Sequence, residues 1–333
     1  MATRVENLTE VAPGVFELRL PIPWEDEFVN VFLLAGGGHV DLIDCGMNSA
    51  ASIDTIRRAV RSVGGEGARV RRLLITHIHP DHYGAAGILT AEDGAELCLH
   101  RLEVPLVHPR YLDLEQLIQE VGDYLTRNGV PDAVAEELSN SSRGLRDFVT
   151  PAEPALQLDG AETLELGGRE LRVEWTPGHS PGHVCLYDAG QRVLFAGDTL
   201  LPKISPNIGL HPQSTPNPLD EFLESLDRLL ALGPGLVLPA HGRPFEDAQG
   251  RVAELRRHHL RRKDQIVELV GEGEVTAWAL AIELWGDRPH FFEKRLALQE
   301  ALAHLQSLAV ENRLQKLAER DLVTWRRPRP RPA

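Results

Sequence analysis

Leu73-Leu74-Ile75-Thr76-His77-Ile78-His79-Pro80-Asp81-His82 decides the fold: an apolar run that breaks off into three imidazoles and a carboxylate within six residues. The run reads as a buried strand, and Pro80 marks a turn at its exit. Imidazole with carboxylate is the usual donor set for zinc, iron or manganese, and a strand end holds such donors more rigidly than a free loop. Side chains two apart on an extended backbone point the same way. His77 and His79 can therefore converge on one ion, leaving Asp81 and His82 for a second. A cluster of buried imidazoles with no compensating ion would be expensive to desolvate.

Three later segments repeat the pattern of a strand delivering a polar residue at its end. Glu174-Trp-Thr-Pro-Gly-His179 leads into Ser-Pro-Gly-His183, Leu194-Phe-Ala-Gly-Asp198 ends a second strand, and Val237-Leu-Pro-Ala-His241 ends a third. Each alone is weak, since a Gly-Asp pair is commonly just a turn.

The surrounding chain supplies the layers. Val15–Leu20, Val29–Leu34 and Val40–Ile43 read as a strand meander, a helix follows from Asn48 to about Val63, and Val70–Ile75 is the next strand. A short helix over Gly84–Thr90 and a strand over Glu96–Leu99 come next, and 101–150 reads as a largely helical insertion. Strands resume at 163–166, 170–175, 183–187 and 193–196, before a helix at 218–232 and a strand at 236–238. This alternation implies a layered α/β domain. Beyond Arg251 the pattern is helical over 252–270, 275–284 and 292–319, with a short extended segment at 322–325 and a basic Arg/Pro tail, 326–333, expected to be disordered.

In this order, each at a strand edge, the elements resemble the metallo-β-lactamase-fold hydrolase superfamily over Val11 to Phe245. The resemblance implies an αββα four-layer sandwich over residues 1–250. It places one ion on His77, His79 and His179 and a second on Asp81, His82 and His241, with Asp198 bridging them beside a water or hydroxide. Two Zn2+ (or Fe/Mn) per chain are expected, with Asp81 as the catalytic residue that orients the nucleophile and shuttles its proton. His183 is expected to support the ligands from behind. Asp44, in Leu42-Ile-Asp44-Cys45-Gly46, is expected to do the same, and Cys45 stands where the family usually has Thr or Ser. Asp198 in place of Cys or Ser argues against an antibiotic-destroying β-lactamase, and His79 in place of an acid argues against the di-iron redox branch. Tyr83 reads as core or rim.

The insertion suggests a lid over the substrate channel, or a peripheral helix pair. Leu200–Pro212, proline-rich and mostly apolar, should border the pocket and favour an acyl or lactone substrate. Residues 251–325 resemble the small winged-helix domain appended to one branch of the superfamily. The whole chain, 333 residues with 42% apolar, carries a net charge of −14, which disfavours a chain-wide nucleic-acid or membrane role. From Arg251 onward, however, 16 basic residues face 12 acidic ones, a net charge of +4. Arg256, Arg257, Arg261, Arg262 and Lys263 on one helix leave nucleic acid open as a partner, with a closing cap or homodimer surface as the alternative. Three cysteines far apart, no secretory run and no membrane-length apolar segment point to the cytoplasm. The expected function is hydrolysis of a thioester or lactone in a small acyl substrate. The rivals are a metal-dependent endonuclease on single-stranded RNA or DNA, and a nucleic-acid-binding module with a vestigial metal site.

Overall fold

Apolar alternation along the first half of the chain builds a mixed seven-stranded sheet, in sequence order from edge to edge. In the computed structural model, which describes residues 5–23, 28–288, 290–319 and 321–329, its strands are β1 (Leu8–Ala12), β2 (Val15–Pro21), β3 (Phe28–Gly36), β4 (His39–Ile43), β5 (Val70–Leu74), β6 (Glu96–His100) and β7 (Leu156–Leu158). The first four pair antiparallel, and β4 to β7 pair parallel. A second, five-stranded sheet runs β12-β11-β10-β9-β8. Its strands are β8 (Thr163–Leu166), β9 (Arg169–Trp175), β10 (Val184–Asp188), β11 (Val193–Gly197) and β12 (Leu236–Pro239).

The apolar clusters show the layering. Phe32, Leu34, Ile43 and Leu74 from the first sheet meet Leu171, Val173, Leu186 and Phe195 from the second in a core between the sheets. Helix α1 (Ala50–Gly64), capped by the Ser49 hydroxyl on the Ser52 N–H, buries Ile56, Ala59 and Val60 on the outer face of the first sheet. On the outer face of the second, α7 (Pro218–Ala231) packs Leu219, Phe222, Leu226 and Leu229, and α8 (Ala248–Val270) adds Val252 and Leu255. Helix, sheet, sheet, helix is the order that the family resemblance implied.

Between β5 and β6 lie α2 (Pro80–Tyr83), α3 (Ala86–Ile88) and a wide turn over Leu89–Asp93. The expected helix from Gly84 thus begins earlier. Pro80 sits at its first position, where a missing N–H costs nothing, so Asp81 and His82 lie in a helical first turn.

The insertion carries α4 (Val104–Val107), α5 (Glu115–Arg127) and α6 (Asp132–Asn140). It packs inward: Leu125, Val130, Ala135 and Leu138 share one core with Ile266, Leu298, Leu302 and Trp325 of the C-terminal quarter. That quarter follows α8 with β13 (Glu274–Val275), α9 (Ala277–Trp285), α10 (Phe291–Val310), β14 (Gln315–Glu319) and β15 (Leu322–Arg326), the three strands pairing in the order β13-β15-β14. Two expectations fail here. The last helix stops at Val310, not 319, because Asn312 turns left-handed (φ 58°) and Arg313 and Leu314 donate back to the Leu308 carbonyl. The tail is ordered further than expected: Arg326 belongs to β15 and Arg327 donates to the Val267 carbonyl at 2.8 Å, while 330–333 lie outside the described residues. Among the described residues, no helix is long and apolar enough to cross a membrane.

Candidate metal centre

Strand ends, and the short helix α2 that follows β5, supply the donors. The chain leaves β5 into Thr76-His77, β9 into Thr176 and on to His179, β11 into Asp198 and β12 into His241. Sheet-to-sheet hydrogen bonds lock these exits together, with Val184 N donating to Thr76 O (3.0 Å) and Asn30 N to Ala240 O (2.7 Å). The Asn30 side chain donates to both Pro239 O and Gly242 O at 2.9 Å, fixing the loop that carries His241. Gly197 has φ 47°, and a Cβ there would lie 2.5 Å from His183 Nε2. Only glycine lets Asp198 approach that imidazole.

The seven residues expected to bind metal come together. Their donor atoms form three overlapping groups, each within 4.8 Å: His77, His79 and His179; His77, His82 and Asp198; and Asp81, His82 and His241. His79 Nδ1 lies 2.8 Å from His77 Nε2 and 3.0 Å from His179 Nε2. His241 Nε2 lies 3.2 Å from Asp81 Oδ2 and 3.4 Å from Asp198 Oδ1, and His179 Nε2 lies 3.4 Å from Asp198 Oδ2.

The outward-facing ring nitrogens fix which way the lone pairs point. His179 Nδ1 donates to Asn207 O (2.9 Å), His241 Nδ1 to Phe28 O (3.0 Å) and His82 Nδ1 to Asp44 Oδ2 (2.8 Å). The Thr76 hydroxyl donates to Asp44 Oδ2 (2.9 Å), leaving its oxygen to accept from His77 Nδ1 (3.1 Å). Each of these four rings spends its proton on the outer partner, so its Nε2 lone pair faces inward. Buried lone pairs about 3 Å apart, facing carboxylates, repel unless a cation or proton sits between them. His82 Nε2 and Asp198 Oδ1 are both buried without a hydrogen-bond partner. The donor set therefore fits metal ions.

With no metal ion present, protons answer the same demand for positive charge between the carboxylates. Burial and neighbouring imidazoles hold His77 and His79 well below the usual histidine range. Burial would also lower His82 and His241, but Asp81 and Asp198 outweigh it, raising His82 well above its ordinary value and His241 to about 9. Asp81 is held at about 2, against burial, by His82 and His241.

His183 makes no approach to the cluster's centre. It is buried, its Nδ1 is 2.8 Å from Thr176 Oγ1, and its Nε2 accepts from the Asp198 N–H at 3.0 Å. Tyr83 is core, its hydroxyl donating to Ala152 O. Glu103 was not singled out in the sequence. Fully buried, it accepts from Ile78 N (3.0 Å), Ser180 Oγ (2.5 Å) and Gly182 N (2.7 Å), tying the His77–His82 segment to the His179 loop. Cys45 also contributes, donating from its thiol to His82 O at 3.2 Å.

Comparison with known proteins agrees with this geometry. The family profile described as the metallo-beta-lactamase superfamily matches residues 24–241. The chain is 25% identical to the probable metallo-hydrolase YqjP of Bacillus subtilis, over 94% of this chain and 97% of that protein. It is 30% identical to the acyl-coenzyme A thioesterase MBLAC2 of Gallus gallus, over 70% of this chain and 79% of that one. A metallo-beta-lactamase family protein of Thermus thermophilus, TTHA1429, superposes with a TM-score of 0.83 at 34% identity, over 96% of this chain and all of the other. The inward-facing donors and the shared fold have one consequence: this chain belongs to the metallo-beta-lactamase superfamily and is a metal-dependent hydrolase.

Proposed function

We propose that the chain hydrolyses a thioester in a small acyl substrate, with a lactone as the neighbouring chemistry, at a dinuclear centre. The single observation that carries this reading is the inward convergence of His77, His79, Asp81, His82, His179, Asp198 and His241. His77, His79 and His179 would hold one ion, Asp81, His82 and His241 the other, with Asp198 between them. Two zinc ions so held would activate a water near neutral pH and polarise the substrate carbonyl. Asp44 and Thr76 orient His82 and His77. Asp81, with its side chain 16% exposed, is the carboxylate placed to hold a proton at Oδ2 and pass it to the departing thiolate.

The thioester is favoured by the relatives. Besides the chicken thioesterase, the atrochrysone carboxyl ACP thioesterase of Passalora fulva is 24% identical over 89% of this chain and 74% of that protein. In functional terms the chain divides into a catalytic part, 1–250, with its insertion at 101–150, and a C-terminal part, 251–325, whose helix–strand–helix–helix–strand–strand order fits a winged helix. Of the five basic residues from Arg256 to Lys263 on α8, three serve the fold. Lys263 is buried against Glu311 (2.7 Å), Arg256 pairs with Asp227, and Arg262 stacks on Trp285. That favours a packing role over a nucleic-acid surface. A panel of acyl thioesters, lactones, phosphodiesters and short RNA tests the assignment: thioester turnover lost in Asp81→Asn supports it, and cleavage of RNA alone, suppressed steeply by salt, overturns it.

A further inference from the structure

The segment between β11 and α7 is held between His179 and the C-terminal helices. Asn207 accepts from His179 through its carbonyl and donates to Leu296 O of α10 at 3.4 Å, and Leu210 N donates to Gln299 O at 3.0 Å. Next to Leu296 stands Arg295. Its guanidinium donates to Ser142 Oγ (2.6 Å) and, at 3.5 Å, to Leu138 O, and its Nε is sealed from solvent with no partner. On the other side of the segment, Arg110 of the insertion donates to Gln213 Oε1 at 2.7 Å. Among the described residues, neither arginine has a carboxylate within 4.0 Å. The contrast with Lys263 is direct: that buried cation is given both Glu311 and Asp220.

Both side chains are half-buried, Arg295 has only the Phe292 ring, 5.3 Å away, facing its charge, and two guanidiniums left without acids repel. Burial, and then the Arg110 charge, lower Arg295 to about 10. Burial followed by the charges of Arg110 and Arg295 holds His211, in the same segment, at about 3. Tyr111, next to Arg110 in the chain, donates from its hydroxyl to Ile78 O at 2.5 Å, between His77 and His79, which sets Arg110 beside the metal centre.

We propose that Arg295 and Arg110 form an anion subsite beside the metal centre, which takes a carboxylate or phosphate group carried by the substrate. A planar guanidinium fork suits either group through paired, charge-assisted hydrogen bonds. On the thioester reading, which this inference deepens, the anion belongs either to the acyl half, as in a dicarboxylic monothioester, or to a phosphate of the carrier half.

Calorimetric titration of the chelator-treated, metal-free protein with succinate and with inorganic phosphate tests the subsite without turnover. Wild type should bind at least one of them. Arg110→Gln and Arg295→Gln should each weaken it by about tenfold or more, with Arg295→Lys, which keeps the charge, losing less. Melting curves identify a variant that has merely unfolded, and Arg110, whose one hydrogen bond among the described residues is to Gln213, provides the second probe. Turnover of S-succinyl- against S-butyryl-N-acetylcysteamine, and of butyryl-coenzyme A against the latter, then locates the anion. The preferred anionic ester should lose its kcat/KM advantage in Arg110→Gln. Absence of binding by wild type, or undiminished binding by both glutamine variants, overturns the subsite. Arginine-dependent binding without hydrolysis of any thioester sustains the subsite and sinks the thioester reading instead.

Discussion

His183 Nε2 accepts the backbone N–H of Asp198 at 3.0 Å, so a buried imidazole outside the donor cluster sets the direction of the carboxylate placed between the two proposed ions. Its other nitrogen is anchored on Thr176 and Thr199, leaving it a single role as acceptor. His183→Ala should strand the Asp198 N–H and loosen the carboxylate. Losses at such supporting partners run about 10–100-fold in metal affinity or activity. The variant should therefore bind metal more weakly and lose kcat more than it raises KM. Metal content by mass spectrometry together with steady-state kinetics decides it, and wild-type occupancy with a wild-type rate would refute the role.

Glu103 gives a prediction about stability. Three buried donors from two separate loops end on its carboxylate. Glu103→Ala leaves them unsatisfied, at about 1–3 kcal/mol for each group that finds no water. We expect a loss of about 3 kcal/mol or more in urea unfolding and a weaker hold on metal, since the His77–His82 and His179 loops lose their tie. A change under 1 kcal/mol would mean the loops are held by other contacts.

What could be read in the sequence was whatever a strand end announces. His77, His79, Asp81, His82, His179, Asp198 and His241 each follow an apolar run, and the structure brings all seven together. Glu103 and Asn30 carry no such mark, because their importance arises when distant chain segments meet: Asn30 reaches Pro239 across 209 residues. The insertion's helices were legible from their apolar spacing. Their burial against α10 was not, since spacing says which face is apolar and nothing about its partner. The misplaced end of α10 has a local cause: Asn312, not glycine or proline, makes the left-handed stop.

Metal removal should show in stability before it shows in any assay of substrate. The inward nitrogens of His82, His179 and His241 face Asp81 and Asp198 at 3.2–3.6 Å, and with no metal ion bound His82 and His241 must take up protons there, which a bound ion would replace. Each bound ion adds about 4 kcal/mol at a free concentration a thousandfold above its Kd. Chelation should therefore lower Tm, and added zinc should restore it up to about two equivalents per chain. Asp198→Asn should flatten that titration. Recovery complete at one equivalent would replace the dinuclear centre with a mononuclear one.

The buried pair His259 and His304, joining α8 to α10 away from the metal donors, should make stability fall in mild acid. His304 Nδ1 donates to Glu300 O at 2.8 Å, so its Nε2 accepts from His259 Nδ1 at 3.1 Å, a relay that works only with both rings neutral. Burial, followed by neighbouring positive groups, depresses His259 to about 2; His304 is held at about 3, chiefly by burial. Folded values below the unfolded 6.5 mean that their stabilisation is complete above pH 6.5 and is lost as pH falls toward 3, because the unfolded chain then binds the extra protons. Each ring contributes at most about 1.4 kcal/mol per pH unit. Urea unfolding of chelator-treated protein at pH 7.5, 6, 5 and 4.5 measures the slope. The double variant His259→Phe with His304→Leu should show a shallower decline than wild type, and parallel slopes would show that the pair does not titrate on unfolding.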